Sequence, residues 1–162
     1  MKKELKTVTI IGAIFVGVVI GGITCSILKN KEIRKETNRV NKFKDYYNIL
    51  NQWFVLKNSG KSLDQYFVKN GYKTIAIYGM GEMGNRFYEE FKNSGNVKIR
   101  YAIDKSAGSV YSELEIVDVD DELESVDAII VTATFAFDEI KENLSSKVNC
   151  AIISLEDVVY EA

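Results

Sequence analysis

From its amino end the chain opens on an unbroken apolar run, Val8 to Leu28 (VTIIGAIFVGVVIGGITCSIL), without a charged residue. About 21 residues at ~1.5 Å rise reach roughly 31 Å, enough to cross the hydrocarbon layer of a bilayer. Its glycines weaken a helix in water but are common in membrane helices. The pattern predicts an uncleaved transmembrane anchor. No A-x-A cleavage pattern follows it, and Gly22-Ile23-Thr24 before Cys25 lacks the leucine of a lipoprotein signal. Gly17 and Gly21 form a small-xxx-small pair that would let two such helices approach.

The pattern then becomes polar with an apolar stripe. Ile33, Val40, Phe43, Tyr47, Leu50 and Phe54 are spaced 7, 3, 4, 3 and 4, a heptad seam that Glu36 interrupts and that Tyr46 and Trp53 widen. With fewer than four clean heptads, residues 43–56 are expected to pack on the chain's own domain, and a coiled-coil dimer is the rival. The earlier stretch reads as a solvated stalk. Asn58-Ser59-Gly60 ends the helix, Ser62-Leu63-Asp64-Gln65 has capping-box spacing for a short helix through Phe67 or Lys69, and Asn70-Gly71 breaks it.

From Lys73 onward, short β-rich runs alternate with helical ones. Strands are expected at Lys73–Tyr78, Val97–Ile103, Leu114–Val117, Asp127–Ala133 and Val148–Leu155. Helices are expected at Asn85–Lys92, where Phe87, Tyr88 and Phe91 share a face, at Phe137–Leu144, and as a turn at Glu156–Tyr160. Gly95 is the expected left-handed stop of the first of these helices. Such alternation predicts an α/β fold, a Rossmann-like parallel sheet of about five strands in the order 3-2-1-4-5. Three segments follow: tail and anchor, 1–28; basic helical stalk, 29–57; Rossmann-like domain, 58–162.

Charge sharpens this division. The formal net charge is −2, but Lys29–Lys69 holds ten basic and four acidic residues, and Asn70 to the end holds eight basic and eighteen acidic. Seven basic residues directly after the anchor, against three lysines before it, place the carboxyl-terminal bulk in the cytoplasm by the positive-inside rule. They also suit anionic lipid headgroups. The acidic terminal domain would be repelled by nucleic acid. The chain has no histidine, which excludes Ser-His-Asp and Cys-His catalysis and His-ligated zinc. Cys25 and Cys150 form no metal or disulfide pattern and read as packing residues.

The candidate chemistry lies between the first strand and its helix. Gly79-Met80-Gly81-Glu82-Met83-Gly84 is a G-x-G-x-x-G loop with a strand before it and a helix after it, the setting of a dinucleotide cradle. Gly79 allows the tight turn, Gly81 lets a pyrophosphate reach the backbone amides, and Gly84 lets helix and strand pack. The helix start favours phosphate, so Glu82 is expected to point outward. Asp104, about 20 residues on, is placed to accept from a ribose diol, with Lys105 beside it; a plain strand-end turn residue is the alternative. Ala133 and Thr134 leave the fourth strand at the same end. Thr134 is expected either to bond the ligand, with Phe135 stacking on it, or to cap the next helix.

Trp53–Lys57, Tyr66-Phe67, Ile77–Gly84, Tyr101–Lys105 and Asp127–Thr132 together resemble a bacterial Rossmann module of surface-polysaccharide synthesis. The chain is similar over about its last 110 residues to the nucleotide-binding domains of nucleoside-diphosphate-sugar epimerase/dehydratase-like proteins. The resemblance implies NAD or a nucleotide-sugar bound through Gly79, Gly81, Gly84 and Asp104. Those enzymes also use a Tyr-x-x-x-Lys pair on a later helix. Tyr88/Lys92 and Tyr101/Lys105 have that spacing but the wrong setting, so no general base is placed. The expected function is a membrane-anchored cytoplasmic nucleotide-binding module, non-catalytic alone. The alternatives are a subunit completed by an epimerase, dehydratase or sugar-transferase partner, and an interaction protein with an empty fold. A polysaccharide-synthesis enzyme, membrane lipid and a second copy through stalk or anchor are the expected partners.

Overall fold

The computed structural model describes residues 2–105 and 113–162, with side chains described from Leu28 onward. Helix α1 is Lys2–Asn58. Residue contacts divide the chain into two units, Met1–Phe43 and Lys44–Ala162, with the division inside this helix. Among the described residues no helix is long and apolar enough to cross a membrane. The expected anchor, residues 8–28, lies outside the described side chains except for Leu28.

The second unit is a parallel α/β sheet. Strands β1 (Thr74–Tyr78), β2 (Lys98–Ile103), β3 (Ile116–Val117), β4 (Ala128–Val131) and β5 (Ala151–Ser154) lie in the order β3-β2-β1-β4-β5, all adjacent pairs parallel. Both the order and the alternation follow the sequence pattern. The central strands are buried on both faces, which is why they read as near-continuous apolar runs. Ile75 and Ile77 of β1 and Ala128 and Ile130 of β4 enter one core. Their neighbours Ala76, Tyr78, Ile129 and Val131 enter the other. Register between β1 and β2 skips Arg100, which turns outward and pairs with Glu124.

The first face is covered by the end of α1 (Ile49, Trp53, Leu56), α2 (Asp64–Asn70), α3 (Glu82–Phe91) and α5 (Leu155–Glu161). Phe67, Phe87 and Phe91 stack edge-on or tilted at 4.7–6.2 Å, and Trp53 meets Phe87 at 6.3 Å. The stretch 43–56 therefore does pack on the domain, but on a different stripe from the heptad seam: Tyr47 and Phe54 are exposed while Ile49, Trp53 and Leu56 are buried. The second face is covered by α4 (Phe137–Ser145) through Ile140 and Leu144, entered by a 3₁₀ turn, Thr134–Ala136.

Gly60 and Gly71 end α1 and α2 with φ of +75° and +74°, as expected for glycine stops. Gly95 does not act as the left-handed stop of α3. The turn is built by Ser94, whose backbone N–H donates to the Phe91 carbonyl (2.9 Å) and whose Oγ accepts from the Asn96 and Val97 N–H groups (3.1 and 3.2 Å). That side-chain acceptor does what a left-handed backbone would otherwise do. At the start of α2, Ser62 Oγ accepts from the Asp64 N–H and meets Asp64 Oδ2, so the reciprocal partner is Asp64 in place of Gln65.

Candidate functional site

Strand order reverses between β1 and β4, and ligands of such sheets bind outside the carboxyl ends of the strands at that switch point. The glycine loop leaves β1 there, and Ala133 and Thr134 leave β4 beside it. The two loops touch: a Cβ on Gly79 would meet Thr132 Oγ1 at 3.0 Å and Ala133 Cβ at 3.8 Å. Gly79 itself has φ +95°, which only glycine adopts without strain. A Cβ on Gly84 would fall 2.0 Å from the Gly79 carbonyl oxygen, so this position sets how closely α3 meets β1. A Cβ on Gly81 would meet nothing within 4 Å. Gly81 is the N-cap of α3, with extended φ, ψ of −72° and −162° and no side-chain cap. The amides that begin α3 therefore follow a residue whose own Cβ position is open. They have no intrahelical acceptor and carry the positive end of the helix dipole.

Three side chains hold the bend. Thr132, buried at the end of β4, donates from Oγ1 to the Gly79 carbonyl (2.6 Å) and lies within reach of that of Tyr78 (3.2 Å). Asn85 Nδ2 donates to the carbonyls of Met80 and Gly81 (both 3.1 Å). Asp104 Oδ2 accepts from the Met80 N–H at 2.7 Å, tying the end of β2 to the loop. The partners of Asn85 lie four and five residues back in its own loop. The sequence places Thr132 at the end of the fourth strand but not its partners, backbone carbonyls more than fifty residues away that only the fold brings near. The signal available was a polar residue ending an otherwise apolar strand.

The expected site residues gather at this end of the sheet. Met80 and Met83 are buried and fix the loop against the core. Glu82 points outward, paired with Arg86 at 2.9 Å. Lys105 is exposed. Asp104 is half-buried and accepts the Met80 N–H on one oxygen of its carboxylate. Thr134 does not cap the following helix, whose N-cap is Ala136 with no side-chain bond. Its Oγ1 is buried with no hydrogen-bond partner. Phe135 is exposed and meets Tyr46 edge-on at 6.2 Å.

The mouth is acidic. Burial pushes the Tyr78 phenol upward, and the carboxylates of Asp104, Asp118 and Glu139 push it further, against a smaller opposing effect of Lys147. Tyr101, of the Tyr-x-x-x-Lys spacing, donates its hydroxyl to the Glu124 carbonyl at 2.7 Å and is pushed up to about 12, mainly by burial. It is a buried structural donor. Among the described residues no group of three or more potential ligands could hold a metal ion. No family model, curated protein or solved structure matches this chain.

Proposed function

We propose that this chain is a membrane-anchored, cytoplasmic nucleotide-binding module, non-catalytic alone, that holds NAD or a nucleotide-sugar in the service of surface-polysaccharide synthesis. The observation that carries the binding reading is Gly81 at the start of α3, whose own Cβ position is open. The diphosphate would lie against the amides that follow Gly81, and the ribose diol would reach Asp104. The unpartnered Thr134 Oγ1 would supply a third bond from the opposite loop. The carboxylates at the mouth disfavour a further 2′-phosphate, so NAD fits better than NADP. The anchor reading rests on the uncharged run 8–28 and the basic residues after it.

The test is calorimetry on the full chain in detergent micelles with NAD, NADH and UDP-glucose. Binding tighter than millimolar to one of them, lost in Gly81→Val, is the expected result; no binding to any would overturn the reading. A second reading, an interaction protein with an empty fold, has one observation behind it. The Asp104–Met80 bond already satisfies a loop amide from within the chain. That reading expects Gly81→Val to leave cellular function intact.

A further inference from the structure

Helix α1 carries two apolar stripes. One, centred on Ile49, Trp53 and Leu56, is buried in the domain core. The other is the heptad seam, Ile33, Val40, Phe43, Tyr47, Leu50 and Phe54. At 100° per residue the two stripes are centred about 140° apart, so using one does not use the other. Leu50 is half-buried; the remaining five are each more than half exposed and make up five of the ten large exposed hydrophobics among the described residues. At ~200 Å² for an open aromatic side chain, Phe43 (63% exposed), Tyr47 (68%) and Phe54 (64%) present about 400 Å² of open surface between them. A monomer's largest apolar patch is commonly about 300–600 Å². Ile33, Val40 and Leu50 bring the seam toward the ~800 Å² per partner of a standard interface.

We propose that this stripe binds the same stripe of a second copy, as a parallel two-stranded coiled coil over residues 33–54. The spacing is complementary to another helix of the same period, and an identical helix supplies it position for position. In heptad terms Ile33, Val40, Tyr47 and Phe54 fall at a, and Phe43 and Leu50 at d. Ile33 and Val40 at a and Leu50 at d match the β-branched and Leu pattern that favours two parallel strands, while Tyr47, Phe54 and Phe43 add aromatic area to the seam. A hollow on the helix is lined by Lys29, Glu32, Ile33, Glu36, Thr37 and Val40. This is the set of a, d, e and g positions that receives a partner's apolar knob. Glu36 falls at d and weakens the first turn of the seam. It pairs with Arg39 of its own helix at 3.0 Å, which also moderates the approach of Arg39 to Lys44 of the other copy. The inference is independent of any nucleotide.

The test is the mass of the full chain in detergent micelles, by sedimentation equilibrium without ligand. The wild type is expected at twice the protomer mass, and the double variant Tyr47→Lys, Phe54→Lys at one protomer mass. Asn41→Lys with Asn48→Lys, on the polar face, should stay at twice. A wild type of one protomer mass, or a seam variant that keeps the wild-type mass, overturns the proposal; the latter points to the anchor glycines as the contact. Should the lysine variants fail to fold, oxidative cross-linking decides, in a chain with Cys25 and Cys150 replaced by Ser. Tyr47→Cys should join two copies and Asn48→Cys should not; the reverse, or no difference, overturns the proposal.

Discussion

An alanine at position 84 would bring its Cβ to 2.0 Å from the Gly79 carbonyl oxygen, whereas one at 81 would meet open space. The same substitution three residues apart therefore separates folding from binding. Gly84→Ala must push α3 away from β1, an overpacking cost of about 3 kcal/mol. Gly81→Ala has an ordinary φ and no clash, and should cost under about 1 kcal/mol, mostly the loss of a favourable N-cap residue. Urea titration of the two variants checks this, and equal losses would refute it. Thr132→Val removes the hydroxyl that bonds the Gly79 carbonyl at 2.6 Å and leaves that acceptor unsatisfied, at about 1–3 kcal/mol. Thr134→Val removes a hydroxyl with no partner, so stability should hold or rise slightly while nucleotide affinity falls several-fold. Calorimetry and melting of the two threonine variants should give opposite patterns.

Between elements, the amino ends of β1 and β4 are clamped by one carboxylate. Asp127 Oδ2 accepts from the Thr74 N–H (2.7 Å), the Lys73 N–H (2.8 Å) and Thr74 Oγ1 (3.0 Å). These bonds, the Thr74 amide first, hold its carboxyl below the usual range. A depressed folded value means that the stabilisation is complete above the unfolded value of about 4 and is lost as pH falls through the folded one. The urea midpoint should therefore drop as pH is lowered from about 4, and Asp127→Asn should flatten that limb while lowering stability at pH 7. An unchanged acid limb in the variant would refute the clamp. The strand Asp127 introduces was legible because four consecutive apolar residues buried on both faces leave little else for 128–131 to be. The clamp was not, since its donors lie more than fifty residues away. The bonds by which Ser94 builds the turn after α3 are local, so a stop at Asn93-Ser94-Gly95 was legible, though not which of the three residues builds it. Distance along the chain also hid which stripe of α1 the domain takes: periodicity identifies apolar faces but not the neighbour that covers each. The glycine bend was legible because its spacing encodes local geometry: the positive φ of Gly79 and the contact of Gly84 with the Gly79 carbonyl belong to one strand–turn–helix unit. Of its supports, Asn85 is local to the bend, and Thr132 required the fold.

For the whole molecule, the compact unit begins at Lys44, inside a helix that continues to Asn58. The last turns of α1 are therefore part of the domain core. Ile49, Trp53 and Leu56 are buried with Phe87, and Lys57 pairs with Glu90 of α3. Burying such side chains contributes about 1.5–3 kcal/mol each, so the three together supply roughly 5–8 kcal/mol. A domain of this size has about 5–15 kcal/mol in all. Removing residues 1–43 should leave a cooperatively folding chain, because none of these contacts is lost. Removing residues 1–57 should leave one that is expanded or aggregated, with the phenylalanines of α2 and α3 open to solvent. Dispersed amide spectra and a sharp urea transition for 44–162, both absent for 58–162, are the expected outcome. A well-folded 58–162 would mean that the end of α1 only rests on the domain. A nucleotide titration of 44–162 would then show whether the bend at Gly81 binds without residues 1–43.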